Sequence, residues 1–166
     1  MHTLKHMRII LSTLLIGAVP IGSAYSAELP IVGLIEDVRL VNLNMLMSAK
    51  IDTGAKTSAI NAIDIEPFTN NDKNWVRFIV KTKKGTSKKL ERPIHRISKI
   101  RRAGTTSDRR YVVLLKICMG GLSKNAQFTL KNRKSMNYAM LIGRRVLDGN
   151  FLVNSEKSRL TKPLCS

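Results

Sequence analysis

Between Leu43 and Ile51, apolar and polar residues trade places almost step by step, and the run ends on Asp52-Thr53-Gly54. Leu43, Met45, Met47, Ala49 and Ile51 alternate with Asn42, Asn44, Ser48 and Lys50, and Leu46 is the one break. A period of two puts alternate side chains on opposite faces, which is the pattern of a half-buried β-strand. A strand that delivers an acid, a hydroxyl and a glycine at its end constrains the rest of the chain. It must be completed by neighbours of the same kind.

Those neighbours are legible. Val32 to Val41 reads as a strand, and Val76-Arg77-Phe78-Ile79-Val80 as another after the turn Asn70-Asn71-Asp72. Tyr111 to Met119 and Leu122 to Leu130 flank Gly120-Gly121, a hairpin signal because tight hairpin turns need positive φ. Leu141-Ile142 reads as a short, fully buried strand, Arg144 to Asp148 as one or two helical turns ended by Gly149, and Phe151-Leu152-Val153 as a final strand. Many short strands and one short helix near the C-terminus predict an all-β barrel or sandwich. The stretch from Thr82 to Arg110 reads as the least strand-like, with Lys83-Lys84-Gly85 and Ala103-Gly104-Thr105-Thr106-Ser107 as flexible points. It is the expected loop or flap, with Gly104, Thr105 and Asp108 as its candidate substrate-facing residues.

The N-terminus follows another logic. His2, Lys5, His6 and Arg8 precede a short apolar core, Ile9 to Ile16, and small residues at Gly22, Ser23, Ala24, Ser26 and Ala27. This is the three-part pattern of a secretory signal peptide, expected over residues 1–26, with cleavage after Ala24 or Ser26. An uncleaved anchor is the competing reading. Residues 27–166 are then one exported domain, periplasmic or secreted, large enough for one core.

Charge narrows the partners. The chain carries 29 Lys and Arg against 11 Asp and Glu, and twelve of the bases lie between Lys81 and Arg110. Such a field draws anionic surfaces or substrates. Export and the scarcity of aromatic residues speak against nucleic acid. Acidic peptides and anionic envelope surfaces fit better, and a plain solvated basic face is the bland alternative. Cys118 and Cys165 would bridge in an oxidising compartment, but Cys118 inside an apolar run equally suits a free buried residue.

The chemistry points to Asp52. An apolar strand ending in Asp-Thr-Gly is how an aspartic protease presents its carboxylate, and an aliphatic-aliphatic-Gly strand, here Leu141-Ile142-Gly143, packs beside it. Two such carboxylates share a proton, one activating water as base while the other donates to the peptide carbonyl. The chain has one Asp-Thr-Gly, so the site needs a second copy.

Further residues carry a wider pattern: Gly33, Glu36 and Val38; Ala49 through Ala59; Trp75-Val76-Arg77-Phe78; Arg110-Tyr111-Val112-Val113; Phe128 through Arg133; Met140 through Arg145; and Gly149 through Val153. With them the chain resembles the bacterial retropepsin-like aspartic protease family, also described as ATP-dependent zinc proteases. The resemblance implies a closed pepsin-like barrel, a homodimer, a peptide or protein substrate, and Asp52 as catalytic residue. It places Thr53, Gly54, Ala55, Ile142, Gly143 and Arg144 in support. Family members often carry His where Asn61 stands and Glu where Asp108 stands. Their frequent functional context with glutamate ligases suggests acidic or glutamylated peptides. A non-catalytic binding module on the same barrel is the competing expectation.

No cofactor and no metal are expected. Hydrolytic zinc needs about three protein ligands, and beyond the leader the only histidine is His95. Gly54-Ala55-Lys56-Thr57 ends like a phosphate loop but lacks the glycine before Lys56 and the one at position 50. Ser58 and Ser107 have no His nearby in sequence, and Tyr111, Tyr138 and Trp75 are expected to pack the core.

Overall fold

The computed structural model describes residues 28–102 and 105–165, with side chains given outside residues 100–107. The expected leader over residues 1–26 and the flap residue Gly104 lie outside the described residues, as does the side chain of Thr105.

Eleven strands and one helix are present among the described residues. In order they are β1 (Ile31–Val32), β2 (Ile35–Leu40), β3 (Met45–Ile51), β4 (Ser58–Asn70), β5 (Lys73–Lys81) and β6 (Ser87–Pro93). Then come β7 (Arg96–Arg102), β8 (Thr105–Met119), β9 (Leu122–Lys131), β10 (Met140–Ile142), α1 (Arg144–Leu147) and β11 (Leu152–Val153). The chain is nearly all-β with one short helix, as the strand pattern predicts.

The alternation in β3 works as expected: Met45, Met47, Ala49 and Ile51 are buried, while Leu46 and Lys50 are exposed. Leu43, counted with the strand from sequence, instead closes a 3₁₀ turn over Val41–Leu43, and Asn44 follows in the left-handed region. Gly120 and Gly121 form the two-residue turn between β8 and β9 with φ of 53° and 86°, the sign that such hairpins require.

Strands β10, β3, β2, β8, β9 and β4 hydrogen-bond in that order, and β4 also meets β10. The ring is not evenly closed. β2 meets β8 through Arg39↔Cys118 and Leu40↔Ile117 only, and β10 meets β4 only through Met140↔Ile60 and Leu141↔Ala59. β5 and β6 extend the sheet beyond β4, with a bulge between Ile63 and Glu66 where Asp64 has φ of 50°. One core fills the space, built from Val38, Met47, Ile60, Phe78, Ile117, Phe128, Met140 and their neighbours.

Three expectations are corrected. Thr82 to Arg110 is not a loop but mostly hairpin: β5 turns into β6, and β7 pairs with the first half of β8. Its period is hidden because both phases of β6 are polar: Leu90 is its one buried residue, and Lys88 and Arg92 share that residue's phase. Lysines and a terminal Pro93 are what an edge strand uses to stay unpaired, and among the described residues β6 pairs only with β5. The expected strand Val32 to Val41 is interrupted, because Gly33 N–H turns to Glu36 Oε1 and Leu34 N–H to Lys157 O. In β10, Met140 and Ile142 are buried and Leu141 is half-buried, so the strand is not buried throughout.

The C-terminal segment straps the fold. Glu36 is fully buried and its carboxylate accepts from Gly33 N, Leu160 N, Thr161 N and Thr161 Oγ1 at 2.6–3.1 Å. A disulfide joins Cys118 in β8 to Cys165, with a Cα separation of 5.9 Å.

Candidate active site

β10 runs in parallel beside the last three residues of β3, and the two strands end together with Ile51 opposite Ile142. Asp52 N–H then donates to Ile142 O at 2.9 Å, so the pairing carries one residue past the strand and fixes the backbone of the acid. The chain turns at once. Gly54 N–H and Ala55 N–H both point back to Asp52 Oδ1, at 3.0 and 3.2 Å. One carboxylate oxygen is thereby oriented, and no described residue hydrogen-bonds the other. Asp52 is half-buried, whereas Thr53 and Gly54 are exposed.

The turn is clamped from the β10–α1 side. A Cβ on Gly143 would stand 2.6 Å from Ala55 O and 3.0 Å from Thr57 C, so only glycine lets the two backbones meet. Gly143 N–H donates to the buried Ser58 Oγ at 3.1 Å, and Thr129 Oγ1 donates to Ser58 O. Arg144 N–H and Arg145 N–H donate to Ala55 O and Lys56 O, and the Arg144 side chain donates to Thr53 O at 2.6 Å. Thr53, Gly54, Ala55, Ile142, Gly143 and Arg144 are therefore gathered with Asp52 in one place.

Around this turn stands a cationic wall that sequence reasoning did not assign. Arg133 lies close enough to Asp52 to feel its charge. Burial first, then repulsion from Arg110, holds the Arg133 guanidinium below its ordinary range, and Asp52 opposes that shift. Arg133 Nε donates to Tyr138 O, and its backbone N–H to Asn61 Oδ1 at 2.7 Å. Arg96 reaches Thr57 Oγ1 at 3.0 Å and is likewise lowered, by burial and then by Arg145. Asp108 of the expected flap pairs with Arg110 at 2.6 Å and with Lys131 at 3.6 Å. The two positions that depart from the resembled pattern, Asn61 and Asp108, thus both hold parts of this wall. No spacing rule would have found Arg133 or Arg96, because each lies far from Asp52 in sequence and arrives by strand pairing.

Among the described residues a zinc donor set does not assemble. Cys118 and Cys165 are bonded to each other, His95 hydrogen-bonds Gln127, and among the described residues no three His, Cys, Asp or Glu side chains share a metal position.

An aspartic endopeptidase family, RimB-like (retropepsin-like aspartic endopeptidase RimB), matches residues 31–163. The chain belongs to the RimB-like family. A Legionella pneumophila protein of unknown function has a similar crystal structure, with a TM-score of 0.68 and 32% identity, covering 80% of this chain and 98% of that one. Similar curated proteins are named probable alpha-L-glutamate ligases. The one from Shewanella pealeana is 33% identical over 115 residues, 68% of this chain and 25% of its own length. The one from Parasynechococcus marenigrum is 32% identical over the same span. This RimB-like chain covers about a quarter of the length of those relatives.

Proposed function

We propose that this chain is an aspartic endopeptidase half-site, exported to the periplasm or beyond, that becomes active when two copies join about a twofold axis. Asp52 of each would then form the dyad, and the strand ring would close fully as a retropepsin-type barrel in the assembled state. The observation that carries this reading is the Asp52 carboxylate. One of its oxygens is held by the Gly54 and Ala55 amides, and the other lacks a described partner at a half-exposed turn.

In the dyad the two carboxylates share one proton, because like charges side by side cannot both ionise. The ionised member takes a proton from water as the water oxygen attacks the peptide carbonyl carbon. The protonated member gives its proton to the carbonyl oxygen. Collapse of the tetrahedral adduct breaks the C–N bond as one carboxyl proton passes to the departing nitrogen and a hydroxyl proton of the adduct returns to the other carboxylate, which restores the shared proton. Arg133, Arg110, Arg96 and Arg144 bias the site toward acidic peptide segments.

The test is cleavage of a peptide library by the protein lacking its leader, from acidic to neutral pH, beside Asp52→Asn. Loss of all cleavage in the variant is expected, together with a dimeric mass in solution for the active form. Cleavage that survives Asp52→Asn sinks the mechanism.

A second reading rests on the relatives. The matched region makes up only a quarter of proteins named as ligases, as a recognition module appended to another activity would. That reading predicts a stable monomer that binds acidic peptides in a salt-dependent way and cleaves none.

A further inference from the structure

We propose that the first half of β3 is a docking edge for an extended acidic peptide, which adds as a strand beside Met45–Ser48, apart from the Asp52 site. β10 covers only Ala49, Lys50 and Ile51, and no described strand lies on that side of the four residues before them. Ile51 N–H donates toward β2, to Leu34 O, while Asp52 N–H donates toward β10, to Ile142 O. Successive strand residues address opposite neighbours. Leu46 and Ser48, in phase with Asp52, therefore turn their amides to the uncovered side.

That side is a groove of about 660 Å³, within the size range of ligand sites. Its floor is apolar, with Met45, Met47 and Ala139, and Leu46 at its lip is 54% exposed. Lys83, Lys84, Lys88 and Arg159 line it against one carboxylate, Asp37. Asp37 is already engaged, accepting from Ser48 Oγ at 2.8 Å and standing 3.9 Å from Arg159. Lys83 and Lys84 come from the β5–β6 turn and Lys88 from the start of β6, and Lys83 Nζ donates to Lys134 O, a neutral acceptor. Thr82 Oγ1, also on the lining, is buried without a hydrogen-bond partner. Buried polar atoms of this kind call for a partner.

These features select the occupant. Lysines alone would suit any polyanion. An uncovered ladder of strand amides suits only a chain with its own amides and carbonyls at strand spacing, which is a peptide. Alternating side chains of such a strand would meet the apolar floor and the lysine rim in turn. Ser48 precedes Asp52 by four residues, roughly 13 Å of strand. The groove therefore does not depend on the dyad.

The experiment uses the Asp52→Asn protein, so that failure of the peptidase reading leaves the measurement intact. The probe is a fluorescein-labelled peptide of alternating Glu and Val, followed by anisotropy at low salt. Two further peptides carry N-methyl groups on one or the other alternate set of amides. The peptide is expected to bind, one N-methyl set to weaken binding about tenfold and the other to leave it unchanged. Lys83→Glu with Lys84→Glu should also weaken binding about tenfold. Hydrogen exchange at Leu46 and Ser48 should slow on saturation. Absence of binding, equal behaviour of the two N-methyl sets, or unchanged exchange at those amides would overturn the proposal. Tighter binding of anionic phospholipid vesicles with the same lysine dependence would also overturn it, by making the face a membrane surface.

Discussion

Arg144 donates a side-chain hydrogen bond to the Thr53 carbonyl across a sequence distance of 91 residues, and at 2.6 Å this is the shortest link between the acid-bearing turn and α1. Its backbone N–H holds the same turn at Ala55 O. Arg144→Ala keeps the second bond and loses the first. Activity should fall about tenfold or more with a smaller change in unfolding midpoint, measured by peptide cleavage beside urea denaturation. Equal kinetics in the variant would remove Arg144 from the support of Asp52.

Gly143→Ala tests the close approach directly. Its methyl group would meet backbone atoms of Ala55 and Thr57, which cannot swing aside as a side chain would. Overpacking of this kind costs about 1–3 kcal/mol. The variant should be less stable by that amount and should cleave poorly even where it is fully folded. Gly54→Ala is the contrast: its methyl group would meet only the Asp52 Oδ1 atom, at 3.2 Å, so the effect should fall on activity more than on stability.

Arg133 separates stability from selectivity. Its folded pKa is lowered, and for a base that means the fold disfavours the charged form. The resulting cost is fully present below the folded pKa and is relieved only as alkaline pH rises through it, so it is constant through the acidic and neutral range. Arg133→Met should leave stability unchanged or slightly raised across that range. KM for acidic peptides should rise about tenfold while neutral peptides change little, and added salt should shrink the difference. A matching loss on both peptide classes would contradict an electrostatic role.

Most of the fold is legible in the sequence, and the reasons for the failures are physical. β3, β5, the β8–β9 hairpin and α1 announce themselves because one face is buried and the other is wet. β4 does not. Its first residues, Ser58 to Ala62, are buried on both faces between β9 and β10 and include two polar residues whose partners come from elsewhere. Asn61 bonds Lys81 O and Arg133 N, and Ser58 bonds Gly143 N. Polar residues satisfied across strands look like loop in one dimension. Asp52 and its glycine were readable from a local motif, whereas Arg96, Arg110 and Arg133 became neighbours of the site only through pairing.

The disulfide closes a sequence separation of 47 residues. On the chain-entropy model such a loop contributes roughly 4 kcal/mol. Reduction, or Cys118→Ala with Cys165→Ala, should lower the free energy of unfolding by about that much, read from denaturant curves with and without reductant. Glu36→Ala should cost about 3 kcal/mol or more even in the oxidised protein, since several buried donors lose a charged acceptor at once. Reduced and oxidised protein of equal stability would show that the strap holds without its bridge.

Glu36 has a consequence for synthesis. Its carboxylate belongs to β2, yet two of its backbone donors, at Leu160 and Thr161, are 124 and 125 residues away. A nascent chain that stops before Leu160 can pair its strands but leaves an anion sealed inside them with three of its four donors missing. Such a fragment is penalised where it most resembles the finished molecule. The carboxylate thus acts as a proofreader of chain length, allowing the strands to settle only once the strap has been made.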